Sequence, residues 1–580
     1  MHFYNEWALR ILRDAPDVPG AFYGLPLYPY FLALVYRIFG YSPFIPGIFQ
    51  ALVDSGTAIL IYLLTRRLLD TPAAHQSPTR PPRFENWTPS KIFATTAAVG
   101  WAFFVPAQAY SIVLMPTAWL VFVFWFVVWR LSSAPCAPAW KECLALGLLI
   151  GFTAMAIATV LFLIPLVLAG IVFKRARYGR AVWGGMAALF LGVGVGTAPC
   201  WIHNYVIARD PAFLSAHGGV NFWIGNNPMA NGYPRFPPGL RAGQAAMLED
   251  SISSAEAAAG HPLKRAQVSA YWSAKANDYI ANHPADWLRL LMLKARNFWN
   301  AFQYDDLSII TNLREEGIIL PGLYFGLIAA LALPGMLLGW IKSPASRWII
   351  AAMFLHMIAL LIVFITERYR LPIVPGLLIM ATYGLWMLWK ELLGRQYIRS
   401  VAYAGMLMLC AMFVSWPQRD PALWALDAYN SGWQALESGD LPLADKKLRL
   451  ARAYVPTNAE TNFAIGNLKL AQGERESAGS FYWTTLQLEK NHRGALNNLG
   501  VLALEDRLYD RAETYFRRAQ QVEPRNAKVH YLLATTLFAR GNRDGAQAEI
   551  QTAIALNPEQ GEFKELATKI ARSTQTAEPN

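Results

Sequence analysis

Two patterns of hydrophobic residues divide the chain near residue 416. Before that point long apolar runs alternate with short polar breaks, and after it apolar and small residues recur at helical spacing among charged ones. The runs cover roughly 44–66, 92–110, 114–132, 143–157, 159–173, 182–201, 318–341, 347–365, 371–389 and 399–416. A helix needs about 20 apolar residues to cross a bilayer, so these runs predict about ten spans. The fourth and fifth runs are short, and one long broken helix is the alternative to two spans.

Basic residues in the polar breaks predict how the spans are oriented. If every run crosses, one side receives Arg66, Arg67, Arg80, Arg83, Lys91, Arg130, Lys141, Lys174, Arg175, Arg177, Arg180, Lys342, Arg347, Lys390, Arg395 and Arg399. Loops rich in lysine and arginine stay in the cytoplasm. The outer side then holds residues 1–43, the turn near Ser111, the segment 202–316, the turn at 367–372 and everything after 416. We expect a multi-pass inner-membrane protein with its C-terminal part on the periplasmic side.

Composition agrees with a polytopic membrane protein and excludes several other classes. The chain is 54% hydrophobic and 16% charged, with a mean hydropathy of +0.25. The net charge of +12 is explained by cytoplasmic loops, so we expect no nucleic-acid partner. The four cysteines form no CxxC pair, which indicates neither a disulfide framework nor a zinc site. The sequence also contains no nucleotide-binding P-loop.

The turn ERYRLP at 367–372 breaks the charge rule, because it places Arg368 and Arg370 on the outer side. Two arginines flanking Tyr369 are suited to hold a phosphate, since guanidinium groups bind phosphate oxygens in bidentate fashion. At the outer face of a bilayer this indicates a lipid phosphate. The alternative is that the arginines reach lipid headgroups or pair with Glu367.

The part after residue 416 has a period of 34 residues. Positions that keep this step are Gly439, Gly473 and Gly541 with Arg507 between them, Gly432, Gly466 and Gly500, Ala444, Ala478, Ala512 and Ala546, and Pro456, Pro524 and Pro558. Small residues where paired helices touch, a glycine turn and a closing proline are typical of tetratricopeptide repeats. We therefore predict an α-solenoid over 421–572 that binds a protein or peptide. A mere spacer is the alternative.

Several stretches resemble one family of membrane enzymes. They are GAFYGLPLYPYFLALVYRIFGYS at 20–42, GGVNFWIGNNPMANG at 218–232 and ERYRLP. Together they are similar to the C-class membrane glycosyltransferases related to protein O-mannosyltransferases and lipid A aminoarabinose transferase, which often carry tetratricopeptide repeats. The resemblance covers essentially the whole chain. It implies a polyprenyl-phosphate sugar as donor, Arg368 and Arg370 as holders of its phosphate, and a catalytic acid in the first outer loop.

The start of the chain departs from the pattern of that family. Tyr4, Trp7 and Ala8 match the first outer loop, but the preceding transmembrane helix and the usual aspartate are missing. We therefore expect Met1 to be an internal codon. Glu6 is the nearest carboxylate that could deprotonate an acceptor hydroxyl. Asp14 and Asp17, beside prolines, are interpreted as turn residues.

Other candidate residues come from the same comparison of motifs. His203 and Asn204 stand where relatives often have Arg-Asn, and a protonated histidine can donate to a phosphate. The amides Asn221, Asn226 and Asn227 suit a loop that closes over a sugar, although a structural turn is an equal alternative. Relatives tend to have an acid near Met115 or Pro116 that this chain lacks, so a divalent metal is left open.

Asp54 lies within the first apolar run, where a carboxylate usually faces a polar cavity or a partner. It therefore joins the candidate substrate-binding residues. The alternative is a protonated acid, or one bonded to Ser55, that serves only helix packing.

These observations predict an all-α protein of three parts: a first outer loop at 1–43, a membrane domain at 44–416 with a large outer loop at 202–316, and repeats at 421–572. The predicted activity is transfer of a sugar from a polyprenyl phosphate to a protein, lipid or glycan hydroxyl at the outer face of the membrane. The alternative is a non-catalytic membrane scaffold whose repeats recruit envelope proteins.

Overall fold

The computed structural model describes residues 2–13, 20–70, 88–134, 136–174, 179–237, 239–240, 244–305, 309–310, 313, 317–318, 321–418 and 420–575. Asp14, Asp17, Arg80, Arg83, Arg175 and Arg177, named above, lie outside these ranges. The chain forms two compact units. The first unit is Met1–Arg235 with Lys264–Gln418, and the repeat unit is Phe236–Leu263 with Arg419–Asn580. The segment 236–263, which the sequence places in the outer loop, is thus grouped with the repeats.

The first unit is helical, with one isolated parallel bridge between Phe104 and Leu323 in the part that is described. Its helices are His2–Leu12, Leu27–Phe39, Phe44–Leu69, Pro89–Ala102, Val105–Ile112, Thr117–Ser133, Trp140–Ala154, Ala158–Leu163, Ile164–Phe173, Arg180–Gly196, Ala198–Ile202, His203–Ile207, Gly218–Gly225, Arg265–Asn282, Pro284–Trp299, Phe325–Lys342, Pro344–Ile362, Glu367–Arg370, Leu371–Ile373, Val374–Leu393 and Tyr397–Val414. Residues 1–43, predicted as a loop, therefore contain two helices.

Within the ranges given above, five helices are long and apolar enough to cross a membrane, or seven if each of two bent pairs counts as one crossing. One predicted span is broken: the run 92–110 ends as a helix at Ala102. The backbone of Phe103 then accepts a hydrogen bond from Leu323, and Val105 donates one back to the same residue. The following helices, Val105–Ile112 and Thr117–Ser133, meet at 117°. The predicted number of ten spans stays a prediction.

Two helices of the first unit, Trp140–Ala154 and Arg180–Gly196, approach each other at the level of their backbones. The contact is lined by Gly147, Gly151, Gly192 and Gly196. A methyl group on Gly151 would lie 2.5 Å from the carbonyl oxygen of Val193, and one on Gly196 would lie 2.6 Å from that of Leu148. Only glycine allows this approach, and the spacing of the glycines matches the small-xxx-small pattern of closely packed helix pairs.

The repeat unit consists of helix pairs followed by a terminal helix. Its helices are Gln244–Ala259, Pro421–Ser438, Leu441–Tyr454, Ala459–Ala471, Arg475–Leu488, Arg493–Glu505, Tyr509–Val522, Ala527–Ala539, Arg543–Leu556 and Gly561–Gln575. Within each pair a small residue packs against a large one at the predicted step. A methyl group on Gly466 would lie 2.5 Å from the ring of Tyr482, and one on Gly500 would lie 2.5 Å from the ring of Phe516.

The turns inside the helix pairs require a left-handed backbone. Gly439, Gly473 and Gly541 have φ angles of 83°, 81° and 87°. Arg507 occupies the same slot with a φ of 60°. An arginine there carries the steric penalty that glycine avoids.

Candidate functional site

The ERYR turn, residues 367–370, is held rigidly by the first unit. Thr366 begins the short helix, and its hydroxyl accepts the backbone N–H of Tyr369 at 3.2 Å. The carbonyl of Tyr369 accepts a hydrogen bond from His356 Nε2 at 2.8 Å. Further along, the carbonyl of Pro372 accepts from the indole of Trp125 at 2.7 Å. The position of the turn is therefore fixed by helices that are distant in sequence.

Arg370 is a structural residue of this turn. Its side chain is 1% exposed, pairs with the buried carboxylate of Glu367 and lies 3.9 Å from the centre of the Phe325 ring. Its guanidinium also donates to main-chain carbonyls, at 2.7 Å for Asn300 and 3.0 Å for Phe302. The structure therefore does not combine the two arginines in a phosphate clamp. For Arg370, the alternative of pairing with Glu367 describes the contact.

Arg368 has a different environment from Arg370. Its side chain is partly exposed, and its guanidinium lies 4.7 Å from the centre of the Tyr369 ring. It also acts on Tyr4 of the first helix: burial raises the pKa of the Tyr4 hydroxyl to about 12, and the charge of Arg368 opposes that rise. Arg368 is thus the arginine of the turn that can meet a ligand, and the N-terminal helix lies beside it.

The N-terminal helix His2–Leu12 buries one side and exposes the other. Trp7 and Ala8 are buried and Tyr4 is partly buried, whereas Glu6 is exposed. Because helical residues two apart point in nearly opposite directions, Tyr4 and Glu6 lie on different sides. The structure therefore brings the helix of Glu6 to the turn, with Glu6 and Tyr4 on different sides of that helix.

His203 and Asn204 anchor the stretch that begins at Gly20. The imidazole of His203 stacks on Phe22 with 4.1 Å between ring centres. Asn204 is fully buried; its amide donates to the carbonyls of Ala212 and Leu214 and accepts the backbone N–H of Phe22 at 2.9 Å. The Asn204 oxygen also lies 3.3 Å from Nδ1 of His203. All of these bonds are internal, so the predicted role in substrate binding fits His203 better than Asn204.

The predicted sugar loop is a support for the turn. Asn226 and Asn227 are each 1% exposed. The amide of Asn226 donates to the carbonyl of Ile362 at 2.8 Å, just before the turn, and Asn227 bonds the backbone of its own loop. Asn221 is only partly buried. Asn226 and Asn227 therefore fit the alternative of a structural turn, because their amide groups form hydrogen bonds inside the protein.

Lys294, which the sequence does not single out, completes this support. Its ammonium group is fully buried and donates to the Asn226 side-chain oxygen at 3.1 Å and to the Leu361 carbonyl at 3.0 Å. Burial lowers its pKa from 10.5 to about 7. No carboxylate is among these two partners. The sequence gives no sign that this lysine is buried, since helix Pro284–Trp299 also contains charged residues that are exposed.

His217 is a second residue that sequence reasoning misses. Its Nδ1 donates to the carbonyl of Tyr23 at 2.8 Å, which leaves the lone pair of the neutral ring on Nε2. Burial lowers its pKa, against the opposing effect of that hydrogen bond. A neutral, oriented imidazole can accept a proton from a hydroxyl. Its position directly before the GGVNFW motif is the signal that could have identified it.

The packing alternative supposed a bond between Asp54 and Ser55, but each of these side chains has another partner. The Ser55 hydroxyl donates to the Ala51 carbonyl at 2.8 Å, and the Asp54 carboxylate accepts from the Trp101 indole at 3.2 Å. The carboxylate therefore has an indole partner from a neighbouring helix.

Among the residues that the structure describes, no group of three or more histidine, cysteine, aspartate or glutamate side chains comes together. A divalent cation in a protein needs several such ligands or other oxygen donors.

Comparisons with known proteins bear on the repeats. Residues 503–570 match the family model of the tetratricopeptide repeat, as the 34-residue period predicts. No curated protein sequence matches the chain. Repeats of this kind present extended surfaces that bind proteins or peptides.

Solved structures similar to the chain have low identity and low scores. MamA from Desulfovibrio magneticus RS-1 is 19% identical over 28% of this chain and 94% of that one, with a TM-score of 0.24. YrrB, a TPR protein with an unusual peptide-binding site, is 16% identical over 33% and 91%, with 0.23. The APC/C hetero-tetramer Cut9–Hcn1 is 12% identical over 83% and 90%, with 0.26. At these values the likeness supports no statement about function.

Proposed function

We propose that this chain is a multi-pass membrane glycosyltransferase that moves a sugar from a polyprenyl phosphate to a hydroxyl at the outer face of the membrane. One observation carries the proposal. The stretches that resemble the glycosyltransferase family are far apart in sequence, yet a chain of contacts links them to the ERYR turn. The charge of Arg368 acts on Tyr4, Trp7 of the same helix packs against Phe22, and Phe22 stacks on His203. Asn226 of the 218–228 loop binds the Ile362 carbonyl just before the turn. Motifs that merely stabilised separate helices would not need to converge.

Exposed apolar side chains support a location in the membrane. Helices Phe44–Leu69 and Tyr397–Val414 present large residues outward, among them Phe44 at 75%, Leu52 at 65% and Ile398 at 88% exposure. Water disfavours such continuous apolar faces, whereas lipid tails accept them. Together with the basic residues of alternate breaks, this favours an inner-membrane protein whose ERYR turn faces outward.

The chemistry assigns different tasks to the residues of the turn. The acceptor oxygen forms a bond to the sugar carbon while the bond from that carbon to the phosphate oxygen breaks, so the leaving phosphate gains negative charge. Arg368 binds this phosphate and stabilises the charge. Arg370, held by Glu367 and main-chain carbonyls, positions the turn. The acceptor proton passes to a base, for which Glu6 and His217 are the two candidates. No step is assigned to a metal.

Sugar transfer by the full chain in detergent tests the proposal with a panel of radiolabelled polyprenyl-phosphate sugars. We expect wild type to release polyprenyl phosphate and Arg368→Ala to lose about 100-fold or more of that rate, as when a group stabilising transition-state charge is removed. Arg368→Lys keeps the charge and should retain part of the rate. Arg10→Ala, on the exposed side of the N-terminal helix, is the matched control. Equal rates for Arg368→Ala and wild type would overturn the assignment.

Two further variants identify the base. His217→Gln keeps a hydrogen-bonding side chain beside the Tyr23 carbonyl but removes the imidazole, and Glu6→Gln removes only the carboxylate. A general base acts only when it is deprotonated, so the transfer rate of wild type should rise with pH as the base loses its proton. The variant in which this rise disappears identifies the base. If neither variant changes the pH profile, both assignments fail.

A membrane scaffold is the second candidate function, and the repeats favour it. Residues 503–570 match a repeat family whose members present binding surfaces, and the buried Arg370 leaves only one arginine of the turn for a phosphate. On this proposal the repeats recruit an envelope protein or peptide and the first unit is an anchor. Wild-type protein that turns over no donor, yet binds a defined envelope partner through its repeats, would favour the scaffold.

A further inference from the structure

Arg493 interrupts the repeat pattern at a position that otherwise holds small residues. The slots 34 residues apart are Ala425, Ala459, Arg493, Ala527 and Gly561. The 34-residue alignment is not shifted at this point. The preceding slot holds Asn458, His492 and Asn526, one residue before Ala459, Arg493 and Ala527. The helices Ala459–Ala471 and Ala527–Ala539 form without a long side chain there. Packing of the repeats therefore does not require the arginine.

The side chain of Arg493 binds a segment from another part of the sequence. Its guanidinium pairs with Asp250 at 2.8 Å and donates to the hydroxyl of Ser253 at 3.0 Å and the carbonyl of Gly239 at 2.7 Å. Within the repeats it also pairs with Glu523 at 2.8 Å. We call the described residues of this stretch, 236–237, 239–240 and 244–263, which contain the first three partners, the docked segment.

The helix of the docked segment, Gln244–Ala259, has a buried side that includes Asp250, the residue paired with Arg493. Met247, Asp250, Ser251 and Ala255 are all buried, and Asp250 is fully so. These positions share one side of a helix. A carboxylate is rarely buried without a partner because its desolvation is costly. The pair with Arg493 compensates that burial.

The docked segment does not fill the surface on which it lies. A cavity of about 330 Å³ lies beside Arg493. Its walls include Glu249 and Ser253 of the docked segment together with Phe463 and Asn497 of the repeats. A competing helix thus has a place at which to begin contact.

We propose that the repeat surface around Arg493 is a binding site for a helix that carries an aspartate and, three residues later, a serine, and that the docked segment is its ligand within the same chain. The proposal is independent of sugar transfer, since none of these residues belongs to the ERYR turn. A ligand within the chain has an effective concentration in the millimolar range. A protein partner that uses this site must present the same two groups and displace the docked segment.

The test uses the full chain in detergent and a fluorescent synthetic peptide of residues 236–263. Asp250→Arg places two positive charges face to face, so it should release the docked segment and open the site to the peptide. Wild type should bind no micromolar peptide, because its own segment occupies the site. Asp250→Arg combined with Arg493→Ala should bind the peptide roughly 30-fold or more weaker than Asp250→Arg alone, as when one member of a buried charge pair is removed.

Two controls exclude indirect effects. Asp278→Arg makes the same change at an exposed position of helix Arg265–Asn282, outside the docked segment, and should leave the site closed. Asp250→Arg with Arg493→Asp restores a pair of opposite charges and should close the site again. The proposal is overturned if wild type and Asp250→Arg bind the peptide equally, or if neither binds it.

Hydrogen exchange gives a readout that does not depend on peptide binding. In Arg493→Ala the amides of 244–259 should lose protection, while those of helices Ala459–Ala471 and Ala527–Ala539 keep it. Protection of 244–259 that survives in this variant would contradict the anchoring role of Arg493.

Discussion

The repeat unit and the first unit differ in whether their sequences are periodic. In the repeats each position recurs every 34 residues, so a residue that departs from the series is visible, as Arg493 and Arg507 are. In the first unit no position recurs. Arg368 and Arg370 look equivalent there, yet one is partly exposed and the other is buried among carbonyls. In a periodic sequence, a residue that is not needed for packing can therefore be recognised from the sequence. In the first unit, only the tertiary contacts separate such residues from structural ones.

The largest expected effect concerns the two arginines of the ERYR turn. Arg370→Ala removes one member of a buried ion pair, and we expect it to destabilise the first unit by about 3–5 kcal/mol. Arg368→Ala, at a partly exposed side chain, should change stability by less than about 1 kcal/mol. Thermal unfolding of the purified variants measures both effects. Equal destabilisation by the two substitutions would remove the distinction that the structure makes between them.

The repeats allow a similar test with an internal standard. Gly500→Ala places a methyl group against Phe516, and overpacking of this kind should cost about 1–3 kcal/mol. The next unit tolerates Ala534 with Ile550 in the equivalent slots. Adding Phe516→Ile should therefore recover stability relative to Gly500→Ala alone, measured by chemical unfolding. A double variant no more stable than the single one would show that the units are not interchangeable.

Lys294 predicts a dependence of stability on pH in the first unit. Its folded-state pKa of about 7 lies below the usual 10.5, so the unfolded chain binds the proton more strongly between these values. Stability should then rise with pH from about 7 towards 10.5, by up to about 1.4 kcal/mol per pH unit. Below about pH 6 both states hold the proton, so this group should add no pH dependence there.

Unfolding midpoints between pH 7 and 9 measure this effect. Lys294→Met should flatten the rise, whereas Lys264→Met, at an exposed position, should leave it unchanged. A profile that is identical in wild type and Lys294→Met would show that the buried amine does not titrate as expected.

The smallest expected effect is a gain of stability at Arg507. Arg507→Gly gives the fourth turn the residue found at 439, 473 and 541 and relieves the left-handed strain, which amounts to about 1 kcal/mol. The added freedom of glycine in the unfolded chain offsets part of this gain. A net stabilisation of a few tenths of a kcal/mol or more is therefore expected in chemical unfolding. Gly473→Ala, the reverse change, should destabilise the repeats.

The sequence predicts the repeats well because their contacts are local and recur. It predicts less of the candidate site, since the partners of Arg370 are main-chain carbonyls that carry no side-chain signal. The amides of Asn204 and Asn226 are likewise consumed by carbonyls that only the folded chain brings near them. The exposure of Glu6 is set by the phase of helix His2–Leu12, which lies in a stretch that the sequence predicted to be a loop.

The four glycines between helices Trp140–Ala154 and Arg180–Gly196 have a consequence for biosynthesis. On the membrane location proposed above, these two helices would meet in lipid, where apolar surfaces gain little by contact and close backbone packing holds helices together. On that proposal a single added methyl group at this contact would act while the newly made chain assembles in the bilayer, before a substrate or partner is met. Variation at these four positions should then change how much protein accumulates in the membrane, and leave the properties of each surviving molecule unaltered.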